Sequence, residues 1–275
     1  MRGASVRLGE RTLVMGVLNA TPDSFSDGGR FAGTEAALAQ GLRMFEEGAD
    51  LVDVGGESTR PGAARVDPAE ERRRVVPVLE GLRRRGAGFL SVDTTRAEVA
   101  EAALDAGADV VNDVSGFTFD PRMAGLVAAR GCPAVLMHLR GAFETMHAAP
   151  RYGDPVAEVA RELGERVEHA VAEGVARAQL VVDPGLGFAK DAAHTLEIVA
   201  RLPALAALER PLLAGPSRKS FIGKVLDLPA DRRLLGTAAA VAACILGGAH
   251  LVRVHDVAEM VQVARVCDAI LGGSR

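Results

Sequence analysis

Polar and charged side chains recur along this chain directly after short apolar segments. They include carboxylates, amides and basic groups: Asn19, Asp53, Arg60, Asp93, Asn112, Asp183, Lys219, Arg253 and His255. Basic side chains donate hydrogen bonds to phosphate oxygens, and carboxylates accept hydrogen bonds from the N–H groups of a polar ring that can be protonated. The residue types therefore indicate a small ligand that carries phosphate groups and such a ring.

Several of these polar positions also have simple structural interpretations. Asp113 and Asp256 could each cap the helix that follows, and His138 could be a hydrogen-bonded core histidine. The segment from Thr59 to Gly62 could be only a turn, and the segment Ser217–Lys219 only a polar loop. The chemical interpretation gains weight only if the fold brings these segments together.

The elements that would position these residues alternate regularly along the chain. Eight apolar runs are typical of buried strands: 12–18, 51–54, 89–92, 110–112, 134–137, 180–182, 211–214 and 251–254. Eight helical patterns follow them: 34–47, 68–85, 97–106, 121–129, 155–173, 192–202, 231–246 and 257–271. This alternation predicts an α/β protein, a single (β/α)8 TIM barrel, with residues 1–275 as one domain. A doubly wound open sheet is the alternative, but no GxGxxG motif follows the first strand.

A barrel would gather the polar residues, because the carboxyl ends of its strands meet at one mouth where active sites lie.

The charge and composition of the chain limit the kinds of molecule that it could bind. The formal net charge is −4, and no basic stretch suggests a nucleic-acid partner. The cysteines, Cys132, Cys244 and Cys267, have no metal-ligand spacing. No signal peptide or membrane span is predicted, and we expect a cytoplasmic protein.

Seven segments resemble the dihydropteroate synthases, and they follow the order found in that family over nearly the whole chain. They are Met15–Gly29, Asp53–Gly62, Asp93–Thr94, Val111–Gly116, Asp183–Phe188, Ser217–Gly223 and Arg253–Val257. The first, second and last segments are specific, whereas Asp93–Thr94 alone would be weak. The resemblance implies a TIM barrel that joins a pterin diphosphate to p-aminobenzoate and releases pyrophosphate.

The resemblance also implies a role for individual residues. The pterin would be bound by Asp93, Asn112, Asp183 and Lys219. The diphosphate would be bound by Asn19, Arg253 and His255, with Mg²⁺ held at Asn19. The p-aminobenzoate would be bound by Thr59, Arg60, Pro61, Phe188 and Ser217. Lys219, Arg253 and His255 would be the catalytic residues. The loops after the first two strands would be mobile lids over the site. The chain would form a homodimer, and sulfonamides would inhibit it.

Two local departures from the family pattern concern loops. Leu139 and the pair Ala142-Phe143 stand where the family leads us to expect Met and Thr-Pro, and Ala189 stands where we expect Gly. Two other functions remain open: a corrinoid-linked pterin methyltransferase, and a non-catalytic pterin-binding barrel. The methyltransferase would not need the segments around Arg60, Lys219 and Arg253 together, and the non-catalytic barrel would be expected to lack a cation or Asn19.

Overall fold

The computed structural model describes residues 8–20, 29–57, 65–142, 146 and 151–272. Its eight strands are β1 (Leu13–Asn19), β2 (Leu51–Gly55), β3 (Phe89–Asp93), β4 (Val110–Asp113), β5 (Ala134–Met137), β6 (Leu180–Asp183), β7 (Leu213–Ala214) and β8 (Leu251–Val254). The helices are α1 (Gly29–Glu46), α2 (Pro68–Arg84), α3 (Ala97–Asp105), α4 (Met123–Arg130), α5 (Pro155–Ala172), α6 (Ala192–Ala200), α7 (Ser220–Leu226), α8 (Leu234–Leu246) and α9 (Val257–Ile270).

All strand pairs in the sheet are parallel, in the order β6-β5-β4-β3-β2-β1-β8-β7. A parallel bridge between Val182 and Leu212 joins the two ends of this order. The sheet therefore closes into the (β/α)8 barrel that the alternating pattern predicts. The prediction of an eight-stranded TIM barrel is confirmed.

One helix was not predicted. Helix α7 begins directly after Lys219 and ends at Leu226, because Asp227 adopts a left-handed conformation with φ of 52°. The helix predicted from residue 231 begins instead at Leu234, after a short 3-10 turn that spans residues 230–232. The α7 segment is only 7 residues long, too short to show the periodicity that marks the other helices.

The apolar strand residues divide into two layers. Outward-facing residues such as Val14, Val52 and Val252 pack with the helices in one large core. Inward-facing residues form a second cluster, here called the barrel floor: Leu13, Met15, Leu51, Val135, Val181, Leu213 and Leu251. Side chains fill the inside of the barrel at this end, as they do in other barrels of this size.

Candidate active site

The mouth residues share strands with the floor residues. Successive side chains of a strand point to opposite faces, so a residue two positions after a floor residue faces inward as well. These floor and mouth pairs are Leu51 and Asp53, Val181 and Asp183, and Leu251 and Arg253. The same alternation places Asn112 two residues after Val110, which packs against the floor. One apolar layer therefore supports one polar layer.

Arg253 lies at the centre of this polar layer. Its Nε donates to Asp53 Oδ2 at 2.7 Å, and its Nη2 donates to Asp93 Oδ2 at 2.8 Å. Asn112 Nδ2 also donates to Asp53 Oδ2, at 2.8 Å. These four side chains come from β8, β2, β3 and β4, so the barrel gathers residues that are up to 200 positions apart in sequence.

The electrostatics of this group are those of buried charges that compensate one another. Burial raises the pKa of Asp93, and Arg253 opposes that shift. Burial by itself would lower the pKa of Arg253, but Asp53 and Asp93 outweigh it and the pKa is raised. Asp53 Oδ1 is buried and has no hydrogen-bond partner among the described residues. The guanidinium therefore stays charged, and one carboxylate oxygen is left able to accept a further hydrogen bond.

Asp183, Lys219 and Phe188 form the other side of the mouth. Lys219 Nζ lies 3.7 Å from the centre of the Phe188 ring, which is a cation–π contact. Burial lowers the pKa of Lys219 to about 7, although Asp183 favours its charged form. Asp183 is buried and accepts a hydrogen bond from Gly185 N at 2.7 Å. A cation, a carboxylate and an aromatic face therefore meet at one place.

His255 and Ser217 form a pair beside Arg253. Ser217 Oγ accepts from His255 N at 3.1 Å and lies 3.0 Å from His255 Nδ1. When the Ser217 hydroxyl donates its proton to Nδ1, the neutral ring carries its own proton on Nε2. Burial, together with Arg253, lowers the pKa of His255 to about 4. In the free protein His255 is therefore a neutral hydrogen-bond donor and not a cation.

The structure also separates structural residues from site residues. Asp113 accepts hydrogen bonds from Ser115 N, Ser115 Oγ and Phe117 N, so it shapes a turn after β4. Asp256 forms an ion pair with Arg218. Asp256 precedes α9, but its side chain does not cap that helix. The hydrogen bonds and the ion pair of these two carboxylates therefore give each of them a structural role.

Asn19 ends β1 opposite Gly55 and is half-buried at the mouth. Thr59, Arg60 and Pro61, which the resemblance assigns to the p-aminobenzoate pocket, lie outside the described residues, as do most of the loops after β1 and β2. Within the described part of the chain, no group of three or more His, Cys, Asp or Glu side chains could hold a metal ion.

Two residues named in the sequence analysis received no binding role there. Asp53 was among the candidate polar residues, and the structure shows that it joins Arg253 to Asn112. His138 is a buried, hydrogen-bonded histidine, as its structural interpretation predicted, but it lies against Lys190 behind the Asp183 loop. Ala189, which stands where the family pattern has Gly, adopts a positive φ of 48°. Gly adopts this left-handed conformation more readily than Ala does.

Comparison with known proteins agrees with this geometry. The model of the family described as pterin binding enzyme matches residues 15–255. The dihydropteroate synthase of Synechocystis is 48% identical over 263 residues, which cover 95% of this chain and 91% of the relative.

Two crystal structures of dihydropteroate synthases are also similar. The Yersinia pestis enzyme in complex with a sulfonamide drug has a TM-score of 0.93 and 42% identity, with 98% of both chains covered. The Xanthomonas albilineans enzyme in complex with 7,8-dihydropteroate has a TM-score of 0.86 and 45% identity, with 95% of this chain and 94% of that chain covered. The mouth described above, the family match and these relatives together show that the chain belongs to the dihydropteroate synthases, the pterin-binding transferases of folate biosynthesis.

Proposed function

We propose that this chain joins 6-hydroxymethyl-7,8-dihydropterin diphosphate to p-aminobenzoate, forming 7,8-dihydropteroate and pyrophosphate. The observation that carries the proposal is the meeting of two groups at one mouth. One group is the cation Arg253 with its bound carboxylates, and the other is Lys219 with Asp183 and Phe188. A ligand with a phosphorylated end and a ring with N–H groups fits both.

Asp183, Asp93, Asn112 and Lys219 would recognise the pterin ring. The ring edge offers N–H donors and ring acceptors, and buried carboxylates pair only with donors. Because Asp183 is buried, it would strongly disfavour a ligand that leaves its oxygens without partners. The pattern of donors and acceptors therefore supports binding of a pterin.

Arg253, His255 and Asn19 would bind the diphosphate. Arg253 stays charged, and in the free protein two of its five N–H groups bind carboxylates of the described residues. His255 would donate from Nε2, since Ser217 occupies Nδ1. These groups would stabilise the negative charge that grows on the departing pyrophosphate.

Asn19 fits Mg²⁺ in its chemistry, because Mg²⁺ prefers oxygen ligands and keeps several waters. The amide oxygen of Asn19 lies at the half-buried end of β1, so the other ligands would be diphosphate oxygens and water. Mg²⁺ held there would offset negative charge on the diphosphate.

The reaction would be a substitution at the methylene carbon of the pterin. The bond from carbon to the diphosphate oxygen breaks, and pyrophosphate leaves with the electron pair. The nitrogen of p-aminobenzoate then bonds to the resulting cation, which the pterin ring stabilises, and its extra proton passes to solvent. Since an arylamine is already unprotonated at neutral pH, orientation and leaving-group stabilisation supply the acceleration.

Phe188, Ser217 and Lys219 would line the p-aminobenzoate pocket together with Thr59, Arg60 and Pro61. Phe188 and Lys219 are already in contact, and Ser217 lies beside His255 at the same mouth. The Arg60→Ala change should raise the KM for p-aminobenzoate more than the Kd for the pterin. Equal losses would argue against placing Arg60 in that pocket.

The decisive assay measures pyrophosphate release by the purified protein with pterin diphosphate, p-aminobenzoate and Mg²⁺. Release that requires p-aminobenzoate and yields dihydropteroate supports the proposal. Pterin binding without release would indicate the non-catalytic barrel, and methyl transfer to a corrinoid would indicate the methyltransferase. Competitive inhibition by a sulfonamide against p-aminobenzoate would place the two ligands in one pocket.

A homodimer is part of the proposal. Exposed apolar side chains lie on α8 and α9, and they include Leu235 at 83% exposure, Val266 at 61% and Ile270 at 68%. Helices α8 and α9 pack against each other, and a contiguous apolar face across them would suit a second copy of the chain. Light scattering should give twice the chain mass, and Leu235→Glu should shift the measured mass toward that of the monomer.

No helix in the described part of the chain is long and apolar enough to cross a bilayer. The cytoplasmic location stays a prediction.

A further inference from the structure

Lys190 is a buried amine that has no role in the proposed mechanism. The chain has three lysines: Lys219 lies in the mouth, Lys224 is exposed on α7, and Lys190 is only 4% exposed. Burying an amine is unfavourable unless hydrogen bonds replace the lost water. The surroundings of Lys190 should therefore show what it is bound to.

Lys190 Nζ lies close to four acceptors. It is 2.8 Å from His138 Nδ1, 3.0 Å from the Phe188 carbonyl oxygen, 3.1 Å from the Gly185 carbonyl oxygen and 3.4 Å from the His138 carbonyl oxygen. The three nearest acceptors are His138 Nδ1 and the carbonyl oxygens of Phe188 and Gly185. Burial lowers the pKa of Lys190 well below its ordinary value, although Asp183 opposes the shift. An amine has N–H groups to donate in either protonation state, so the contacts do not depend on its charge.

The protonation of His138 follows from its other neighbour. Its Nε2 lies 3.0 Å from Glu162 Oε2, and a carboxylate only accepts, so Nε2 must carry the proton. Burial, reinforced by Lys190, lowers the pKa of His138 to about 3, so the ring is neutral. His138 Nδ1 is therefore an acceptor, and Lys190 donates to it.

The two carbonyl groups that Lys190 binds lie in the turn after β6. The turn begins beside Asp183, whose carboxylate accepts from Gly185 N, and reaches Phe188, whose ring lies under Lys219. Gly185 has φ of 65°, and a Cβ there would lie 2.1 Å from the His138 carbonyl oxygen. The turn is thus pressed directly against the end of β5.

We infer that Lys190 is a positioning residue, which acts through its bonds to Gly185 and Phe188 to hold the Asp183 turn in the shape that binds both substrates. The inference rests on the proposed function, because it assigns Asp183 to the pterin and Phe188 to p-aminobenzoate. Lys190 itself touches neither reacting group. It fixes the loop that carries two binding side chains before any ligand arrives, which lowers the entropic cost of binding.

Helix α5 anchors the other end of this arrangement. Glu162, which accepts from His138, also accepts from Arg140 Nε at 3.0 Å. Burial alone would raise the pKa of Glu162, but its bonds to His138 and Arg140 outweigh burial and lower it. Tyr152, just before α5, donates its hydroxyl to the Ala189 carbonyl oxygen at 3.0 Å. The turn is therefore connected to α5 through Lys190, His138 and Glu162, and to the segment before α5 through Tyr152.

Lys190→Met tests the inference, with Lys224→Met as the matched control. Methionine keeps the apolar stem and removes the N–H donors. The KM values for the pterin diphosphate and for p-aminobenzoate should each rise about tenfold, and kcat should stay within about threefold, because Arg253 and His255 lie on or beside β8. Lys224→Met should match the wild type. Unchanged KM values with a lower kcat would show only a loss of folded enzyme and would overturn the inference.

A second pair of variants guards against misfolding of Lys190→Met. His138→Asn places an amide oxygen near the position of Nδ1 and keeps an acceptor for Lys190, whereas His138→Leu removes it. His138→Asn should keep KM values close to those of the wild type, and His138→Leu should raise them as Lys190→Met does. Equal KM values in the two His138 variants would contradict a role that acts through Lys190.

A ligand-free measurement separates this inference from the proposed function. Hydrogen exchange of the amides of residues 185–189 should be at least tenfold faster in Lys190→Met than in the wild type and in Lys224→Met. Unchanged exchange would overturn the inference even if the wild type is fully active. Absence of p-aminobenzoate-dependent pyrophosphate release by the wild type would overturn the proposed function, and faster exchange in Lys190→Met would still show that Lys190 holds the turn.

Discussion

The floor and the mouth of the barrel lie on the same strands, two residues apart, and differ in what they contribute. The floor is apolar and buried, with Leu13, Leu51 and Leu251 packed together. The mouth, one layer above, buries charges that need compensation, with Arg253 held between Asp53 and Asp93. The difference suggests that the floor stabilises the barrel and that the mouth is kept for its chemistry, at some expense in stability. Four predictions test that division.

The largest effect is expected at the floor, in Leu251→Ala. Removal of this buried side chain should lower the free energy of unfolding by about 2–5 kcal/mol, because a cavity is left behind. The folded fraction should keep its kcat/KM within about twofold. Denaturant unfolding and steady-state kinetics measure the two quantities, and Leu251→Met, which conserves volume, is the control. A specific loss of kcat/KM would mean that the floor also shapes the site.

The opposite pattern is expected at the mouth, in Lys219→Ala. Turnover should fall by at least about 10²–10³-fold, because a preorganised cation at the reacting centre is lost. Stability should change little, since the Lys219 side chain is only partly buried and burial has already lowered its pKa. Kinetics and thermal unfolding of the same sample check both statements. Near-normal turnover would remove Lys219 from the site.

Asp183→Asn should weaken pterin binding by about 1–3 kcal/mol, the range for loss of a hydrogen bond to a charged group. The variant keeps the size and an acceptor oxygen, so Gly185 N can still donate to it. Isothermal titration with a non-reacting pterin measures the affinity. If the affinity is unchanged, the pterin ring is recognised by other residues.

The smallest effect is a dependence on pH. Burial lowers the pKa of Lys219 from 10.5 to about 7, so the free protein carries this charge below pH 7 and loses it above. The kcat/KM for pterin diphosphate should therefore fall above pH 7, by up to about tenfold per pH unit. Lys219→Arg keeps its charge and should lack this fall, which also separates it from ionisation of the diphosphate. The same alkaline fall in both proteins would assign it to another group.

Much of the site could be anticipated from local pattern, and the exceptions are instructive. Asp183 closes an apolar run and Arg253 lies one residue before the end of another, so a parallel barrel had to bring both to the mouth. Asp113 ends β4, but it is next to the inward-facing Asn112, so alternation turns its side chain to the opposite face, where it shapes a turn. The sequence alone could not show which donors surround each carboxylate.

The sequence by itself determined the alternation of strands and helices, since an apolar run covered on both faces and an amphipathic helix are local properties. It also determined the two-residue step from floor to mouth. Only the tertiary structure decided which distant groups bind each other: Arg253 meets Asp53 across 200 positions, and Lys190 meets His138 across 52. Hydrogen bonds are directional and short, so these partnerships exist only after the barrel has closed and set the distances.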